Sequence, residues 1–138
     1  MKIERTHDLG ACLALRRAVF IEEQGVSEFE EMDDKDHQAI HLLAWQDDRP
    51  VGSARLLLLG DTGKIGRVCV LAPARGTGLG AALIRAALDV LRVQPGVTRA
   101  KLGSQVHAIG FYEKLGFVAH GPVYDDAGIP HRDMTRDL

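Results

Sequence analysis

Arg75-Gly76-Thr77-Gly78-Leu79-Gly80 is the stretch whose residue types and spacing most directly suggest chemistry. Alternating glycines leave the backbone bare, so its N–H groups can approach an anion that side chains would hold off. A helix starting at about Gly78 adds a positive dipole end, and Arg75 adds a charge-assisted contact. The loop therefore reads as a phosphate cradle. It lacks the Gly-x-Gly-x-x-Gly spacing of a dinucleotide loop, and no Lys-Ser/Thr follows as in a P-loop.

Other side chains are equipped to move protons. Glu31, Asp33, His41 and His131 are candidate bases, and imidazole is the side chain best suited to exchanging protons near neutrality. Tyr112 is a candidate acid, although a tyrosine in a short helix can equally be a packing residue. Arg16 and Glu23 sit on the otherwise apolar face of a helix. Charges there must pair or face a cavity. The spacing suggests a structural ion pair, with Arg67 as a further partner, or else a wall of an acceptor pocket. Cys12 and Cys69 sit in apolar settings with no metal-ligand or disulfide spacing. They read as reduced, buried residues, and no metal is expected.

These residues need elements to position them. Lys2 to Arg5 reads as a strand, and Thr6 to Asp8 supplies caps for a helix running to Gln24-Gly25. Ser27 to His37 is acidic and irregular. Residues 39–45, 51–59 and 64–71 then form an antiparallel meander with a turn at Asp47 to Pro50. Gly80, Leu83, Ile84, Ala87, Leu88 and Leu91 step as one face of a helix that stops before Pro95-Gly96. A strand at 99–104, a short helix at 106–115 and strands at 117–124 and 129–135 complete the order β-α-β-β-β-α-β-α-β-β. The expected class is α/β (α+β): a mixed, mostly antiparallel central sheet of six to seven strands flanked by helices. No linker, repeat or low-complexity stretch divides the chain, so residues 1–138 read as one domain.

Bulk properties narrow the function. Of 138 residues, 46% are apolar and 26% charged, which fits a globular protein rather than a disordered one. The net charge of −2, with both signs interspersed, is not the footprint of a nucleic-acid binder. No apolar run approaches the about 20 residues that span a bilayer, and the N-terminus lacks a signal-peptide core. A cytoplasmic protein without membrane contact is expected.

Two motifs together point to a family. Arg75 to Gly80 matches the Gln/Arg-x-x-Gly-x-Gly/Ala motif of the GNAT superfamily of N-acetyltransferases, and Phe111-Tyr112-Glu113-Lys114-Leu115-Gly116-Phe117 resembles its other common signature. The order of elements is similar along essentially the whole chain. Further likeness to the ElaA-like and YjcF-like bacterial acetyltransferases lies in Arg16-x-x-Val19-Phe20-x-x-Glu23-Gln24, Glu31-x-Asp33-x-x-Asp36, His41, Ile65-Gly66-Arg67-Val68 and Gly128-Ile129-Pro130-His131.

The resemblance implies a GNAT fold and acetyl-CoA as co-substrate. Val68, Cys69 and Val70 would pair through their backbone with the pantetheine arm, as if it were another strand. Backbone N–H groups of Arg75, Gly76, Thr77, Gly78, Leu79, Gly80 and Ala81 would hold the pyrophosphate. The strands at 64–71 and 99–104 would splay to admit the cofactor. Gln105 stands where many members have Asn, and keeps an amide at the site. The N–H of Val70 would receive the developing oxyanion, Tyr112 would protonate the leaving thiolate, and His131 or Glu31 would take the amine proton. Arg16, Glu23, Asp33 and His41 would line the acceptor pocket. The implied reaction is direct transfer of acetyl to a primary amine in a ternary complex. The acceptor is a small molecule or, alternatively, a protein N-terminus or lysine. A catalytically silent acyl-CoA-binding module is the competing class. The protein would be a monomer or homodimer.

Overall fold

The computed structural model describes residues 1–138. Seven strands form a single sheet: β1 (Lys2–Thr6), β2 (Ile40–Gln46), β3 (Arg49–Leu59), β4 (Thr62–Val70), β5 (Arg99–Gln105), β6 (Val118–Asp126) and β7 (Ile129–Asp137). Their spatial order is β1-β2-β3-β4-β5-β7-β6, and every neighbouring pair is antiparallel except β4 with β5. The helices are α1 (Leu9–Arg16), α2 (Glu28–Glu31), α3 (Leu79–Arg92) and α4 (Ile109–Glu113).

Local sequence explains the corners. Asp47 and Asp48 both take positive φ, as do Ala127 and Gly128, so two-residue turns close β2–β3 and β6–β7. Such turns match the twist of the flanking strands. Asp8 caps α1 by accepting from the Ala11 N–H at 3.0 Å. Leu79, Leu83, Ile84, Ala87, Leu88 and Leu91 of α3 are buried against one face of the sheet, with Leu42, Ala54, Leu56, Ile65, Leu102 and Met134 beneath them. Leu79 opens this stripe, one residue before the Gly80 that the periodicity alone suggests. A smaller core of Cys12, Leu15, Val19, Leu43 and Cys69 forms on the opposite face, under α1.

Two irregularities shape everything that follows. The first helix continues past Arg16 as a π-wound segment, Arg17–Glu23. On β4 one extra residue is inserted opposite Ser53 to Arg55, and Arg67 takes a φ of +50° at that bulge. A bulge bends its strand and re-aims side chains. Beyond it, β4 and β5 part company. They are registered only at Thr62 to Lys64 against Arg99 to Lys101, while β5 stays paired to β7 along its whole length.

Candidate active site

The wedge between β4 and β5 opens into a cleft of about 340 Å³. Its floor carries Gly66 and Gly103, α4 supplies Tyr112, the β6–β7 hairpin supplies Tyr124 and His131, and the first helix and α2 supply Gln24 and Glu31. At the wide end of the wedge, Leu71 N–H donates to the Val51 carbonyl at 2.9 Å. Backbone groups alternate along an antiparallel ladder, so the N–H and C=O of Val70, one residue back, are turned away from β3 toward the gap. The Arg75 Nε–H donates to that Val70 carbonyl at 3.0 Å.

The glycine loop lies just outside the cleft, between β4 and α3. Gly76 and Gly78 both have positive φ, and a β-carbon at either would meet only open space. Gly78 is the N-cap of α3 and lends no side-chain cap. The first-turn N–H groups of a helix lack intrahelical acceptors, so those of Leu79, Gly80 and Ala81 are available to an anion. The Thr77 hydroxyl is directed inward, donating to the Ala74 carbonyl at 2.6 Å.

Tyr112 packs edge-on against Phe111 and Phe117, with ring centroids 5.0 and 6.1 Å away. Its hydroxyl makes no hydrogen bond within the protein yet is not sealed from the cleft. Burial pushes its pKa above the ordinary tyrosine value, so it remains an O–H donor. His131 has one nitrogen engaged. Its Nδ1 lies 2.7 Å from the Ile129 carbonyl, which can only accept, so Nδ1 carries the proton and Nε2 is the free, basic nitrogen. Gln105, at the end of β5, donates to the Gln24 side chain at 3.3 Å and so joins the two walls. Cys69 lies beneath the site, 3.3 Å from the Ser53 hydroxyl, and burial raises its pKa. Cys12 is likewise pushed up to about 11 by burial. Neither is an activated nucleophile.

The charged residues are arranged differently from the sequence-based expectation. Arg16 is 1% exposed and pairs with Glu31 and, at 2.8 Å, with Asp36, but not with Glu23. The reason is helical phase. Seven residues bring Glu23 back over Arg16 in a regular α-helix, but the π-wound turn rotates Glu23 out to solvent. There it grips Arg75 with bonds of 2.5 and 2.8 Å. Arg67 donates to the Glu31 carbonyl at 2.8 Å and to Asp33 at 3.4 Å. Arg55, buried in β3, joins Asp33 at 2.8 Å and Asp36 at 3.1 Å. Three arginines and three carboxylates thus staple the acidic segment to the sheet.

This network corrects several candidates. Glu31 is 4% exposed and its carboxylate is paired with Arg16 and Arg67, which places it in a structural ion network. Burial alone would raise the Asp33 pKa. The Arg55 hydrogen bond, the Lys35 N–H and the charges of Arg55 and Arg67 outweigh burial and bring it to about 2, too low for a base. Arg16 sits behind the cleft wall, and Glu23 lies outside the cleft. His41 is not in the cleft either. It borders a separate pocket of about 190 Å³, where its Nε2 lies 2.7 Å from the Asp36 carbonyl.

Sequence reading assigned no role to Arg55, Tyr124 and Gly103. Arg55 left a signal, because a lone charge in the apolar run of residues 51–59 must find buried partners. Tyr124 left none, since its direction depends on an irregularity in β6, where His120 pairs with Asp133 but Tyr124 pairs with His131.

Comparison with known proteins agrees with this geometry. Residues 12–138 match the model of the acetyltransferase (GNAT) domain. The chain belongs to the GNAT acetyltransferase family. Within it, the chain is 34% identical to YjcF of Bacillus subtilis (strain 168), over 89% of this chain and 88% of that protein. It is 35% identical to ElaA of Escherichia coli (strain K12), over 94% of this chain and 88% of ElaA. The crystal structure of an acyl-CoA N-acyltransferase from Pseudomonas aeruginosa superposes with a TM-score of 0.88, at 33% identity over 99% of both chains. The expected GNAT fold, with its seven-stranded mixed sheet, is therefore what the chain adopts. GNAT acetyltransferases use acetyl-CoA, and the bare N-terminus of α3 beside an opened β4 edge fits that donor. No helix is long and apolar enough to cross a membrane.

Proposed function

We propose that this chain, acting as one domain over residues 1–138 in the cytoplasm, transfers acetyl from acetyl-CoA to the primary amine of a small molecule. The observation that carries the reading is the convergence of a free Tyr112 hydroxyl and a free His131 Nε2 on one cleft, beside the unpaired edge of β4.

Acetyl-CoA supplies a thioester whose carbonyl carbon is open to attack. The N–H groups of Leu79, Gly80 and Ala81, with those of the preceding loop, hold the pyrophosphate, and the β4 backbone at Val68 to Val70 aligns the pantetheine arm as an added strand. Val70 N–H donates to the carbonyl oxygen as it gains negative charge. His131 Nε2 removes the proton from the attacking amine, and Nδ1–H, tied to the Ile129 carbonyl, holds the ring in the tautomer that can accept it. Tyr112 donates its phenolic proton to the departing sulfur. The hydroxyl is protonated because burial disfavours the phenolate.

The experiment is a screen of small amines and peptides with acetyl-CoA, read by release of free thiol against a no-amine control. Amine-dependent thiol release is expected from the small-molecule arm. Activity confined to peptides would reassign the acceptor. CoA binding without any amine-stimulated release would overturn transfer in favour of a silent acyl-CoA-binding module.

A further inference from the structure

Tyr124 has no part in acetyl transfer itself, yet it is anchored on the β6–β7 wall through its hydroxyl. Its hydroxyl donates to Asp133 Oδ1 at 2.8 Å. Asp133 in turn lies 3.6 Å from the Lys101 ammonium. The Tyr124 ring stacks on the His131 imidazole, with centroids 6.0 Å apart and planes 25° apart. The phenol is pushed up to about 12, first by burial and then by its bond to Asp133, so it is spent on that bond rather than available as an acid.

Three local features produce this arrangement. The irregularity in β6 between His120 and Tyr124 brings Tyr124 level with His131, two residues from Asp133, where the register of His120 with Asp133, if continued, would set it opposite Ile129. Gly103 faces Asp133 on the neighbouring strand, and a β-carbon there would fall 2.5 Å from the Tyr124 hydroxyl. The absence of a side chain at Gly103 is thus what lets the phenol cross β7 to reach the carboxylate. Finally, His131 has only one hydrogen bond of its own, to Ile129, so its tautomer is held only while the ring stays in the plane that reaches that carbonyl.

We propose that Tyr124, anchored by Asp133 across the gap at Gly103, is the positioning residue for His131, holding the imidazole so that Nε2 faces the acceptor. The inference rests on reading His131 as the base. Asp133 acts through Tyr124 and touches neither acceptor nor imidazole. Tyr112, Tyr124 and Asp126 share the cleft with His131 on its own side. Glu30, Glu31, Lys64 and Arg67 face it from the other. Of these, Tyr124 is the one stacked on the ring.

The test is nitrogen-15 NMR of the histidine side chains in the full, ligand-free chain, with His131 assigned by loss of its signals in His131→Gln. At alkaline pH the wild type is expected to show His131 as a single neutral tautomer, protonated at Nδ1. Tyr124→Leu and Gly103→Ala should each convert it to a mixture of tautomers. Asp133→Leu should do the same from a distance, and Asp133→Asn, which keeps an oxygen acceptor, should restore the single tautomer. Tyr124 is partly exposed, so Tyr124→Leu should fold, and its thermal transition verifies this. An unchanged His131 spectrum in Tyr124→Leu overturns the proposal, as does an Asp133→Leu spectrum identical to wild type. This readout needs no acceptor. Wild-type turnover in His131→Gln would remove the base assignment and leave the positioning result standing on its own measurement.

Discussion

Arg75, the basic residue of the glycine loop, is held by Glu23 through two hydrogen bonds of 2.5 and 2.8 Å, and by the Val70 carbonyl at 3.0 Å. The guanidinium therefore links the first helix to the end of β4, and the carboxylate competes for the charge that a phosphate would use. Glu23→Gln should release Arg75 and tighten CoA binding a few-fold, while Arg75→Ala should weaken it. Both residues are exposed, so neither change should move the melting temperature much. Calorimetric titration with CoA at two salt concentrations measures this. Weaker binding in Glu23→Gln would mean that the pair organises the loop instead of restraining it.

Gly78 begins α3 with φ of +84°. Gly78→Ala should cost roughly 1–2 kcal/mol of stability from the left-handed backbone alone, with room for the methyl group itself. Gly78→Asp adds a carboxylate that competes for the first-turn N–H groups and repels pyrophosphate. It should lose about tenfold or more in CoA affinity beyond the alanine variant. Equal affinities in the two variants would take the pyrophosphate away from this loop.

Tyr112→Phe keeps the ring contacts with Phe111 and Phe117 and removes only the hydroxyl. CoA affinity and stability should hold. Turnover should fall by about 10²-fold or somewhat less, the lower end for general-acid catalysis, because thiolate already leaves readily. Since burial raises the phenol above its ordinary value, the wild-type loss of rate from this group belongs at strongly alkaline pH. Wild-type turnover with an unchanged alkaline limb in the phenylalanine variant would exclude Tyr112 as the acid.

Asp33 gives the fold an acid-sensitive clamp. Its folded-state pKa, about 2, lies below the about 3.9 of an unfolded aspartate. The stabilisation is therefore complete above the unfolded value and is lost as pH falls toward the folded one. Thermal melts of the wild type should lose stability steeply between those limits. Arg55→Met strips the clamp of its buried cation and should cost about 3–5 kcal/mol near neutrality, the range for breaking a buried pair. Its melting temperature should then change less steeply over the acid range. Parallel acid profiles would show that Arg55 does not hold Asp33 down.

Much of the architecture was readable in the chain because periodicity and punctuation are local. The stripe on α3, the glycines at 76 and 78 and the turn chemistry at Asp47-Asp48 act over a few residues, and the order of elements along the chain follows from such signals. The glycine loop ahead of α3 and the place of Tyr112 on α4 are legible for the same reason, as each lies in a short motif with fixed spacing. The tertiary structure alone decided which charges meet. Spacing alone pairs Arg16 with Glu23, but a π-wound turn, invisible in the spacing, swings Glu23 onto Arg75. Arg16, Arg55 and Arg67 close around Glu31 and Asp33 only in the folded sheet. The reach of Tyr124 to Asp133 depends on a β6 irregularity and on the empty place at Gly103, two strands away in space. Local patterns set each element and its motif. Long-range packing set the protonation and pairing of the side chains between them, because those depend on partners that only the folded sheet brings within hydrogen-bonding distance.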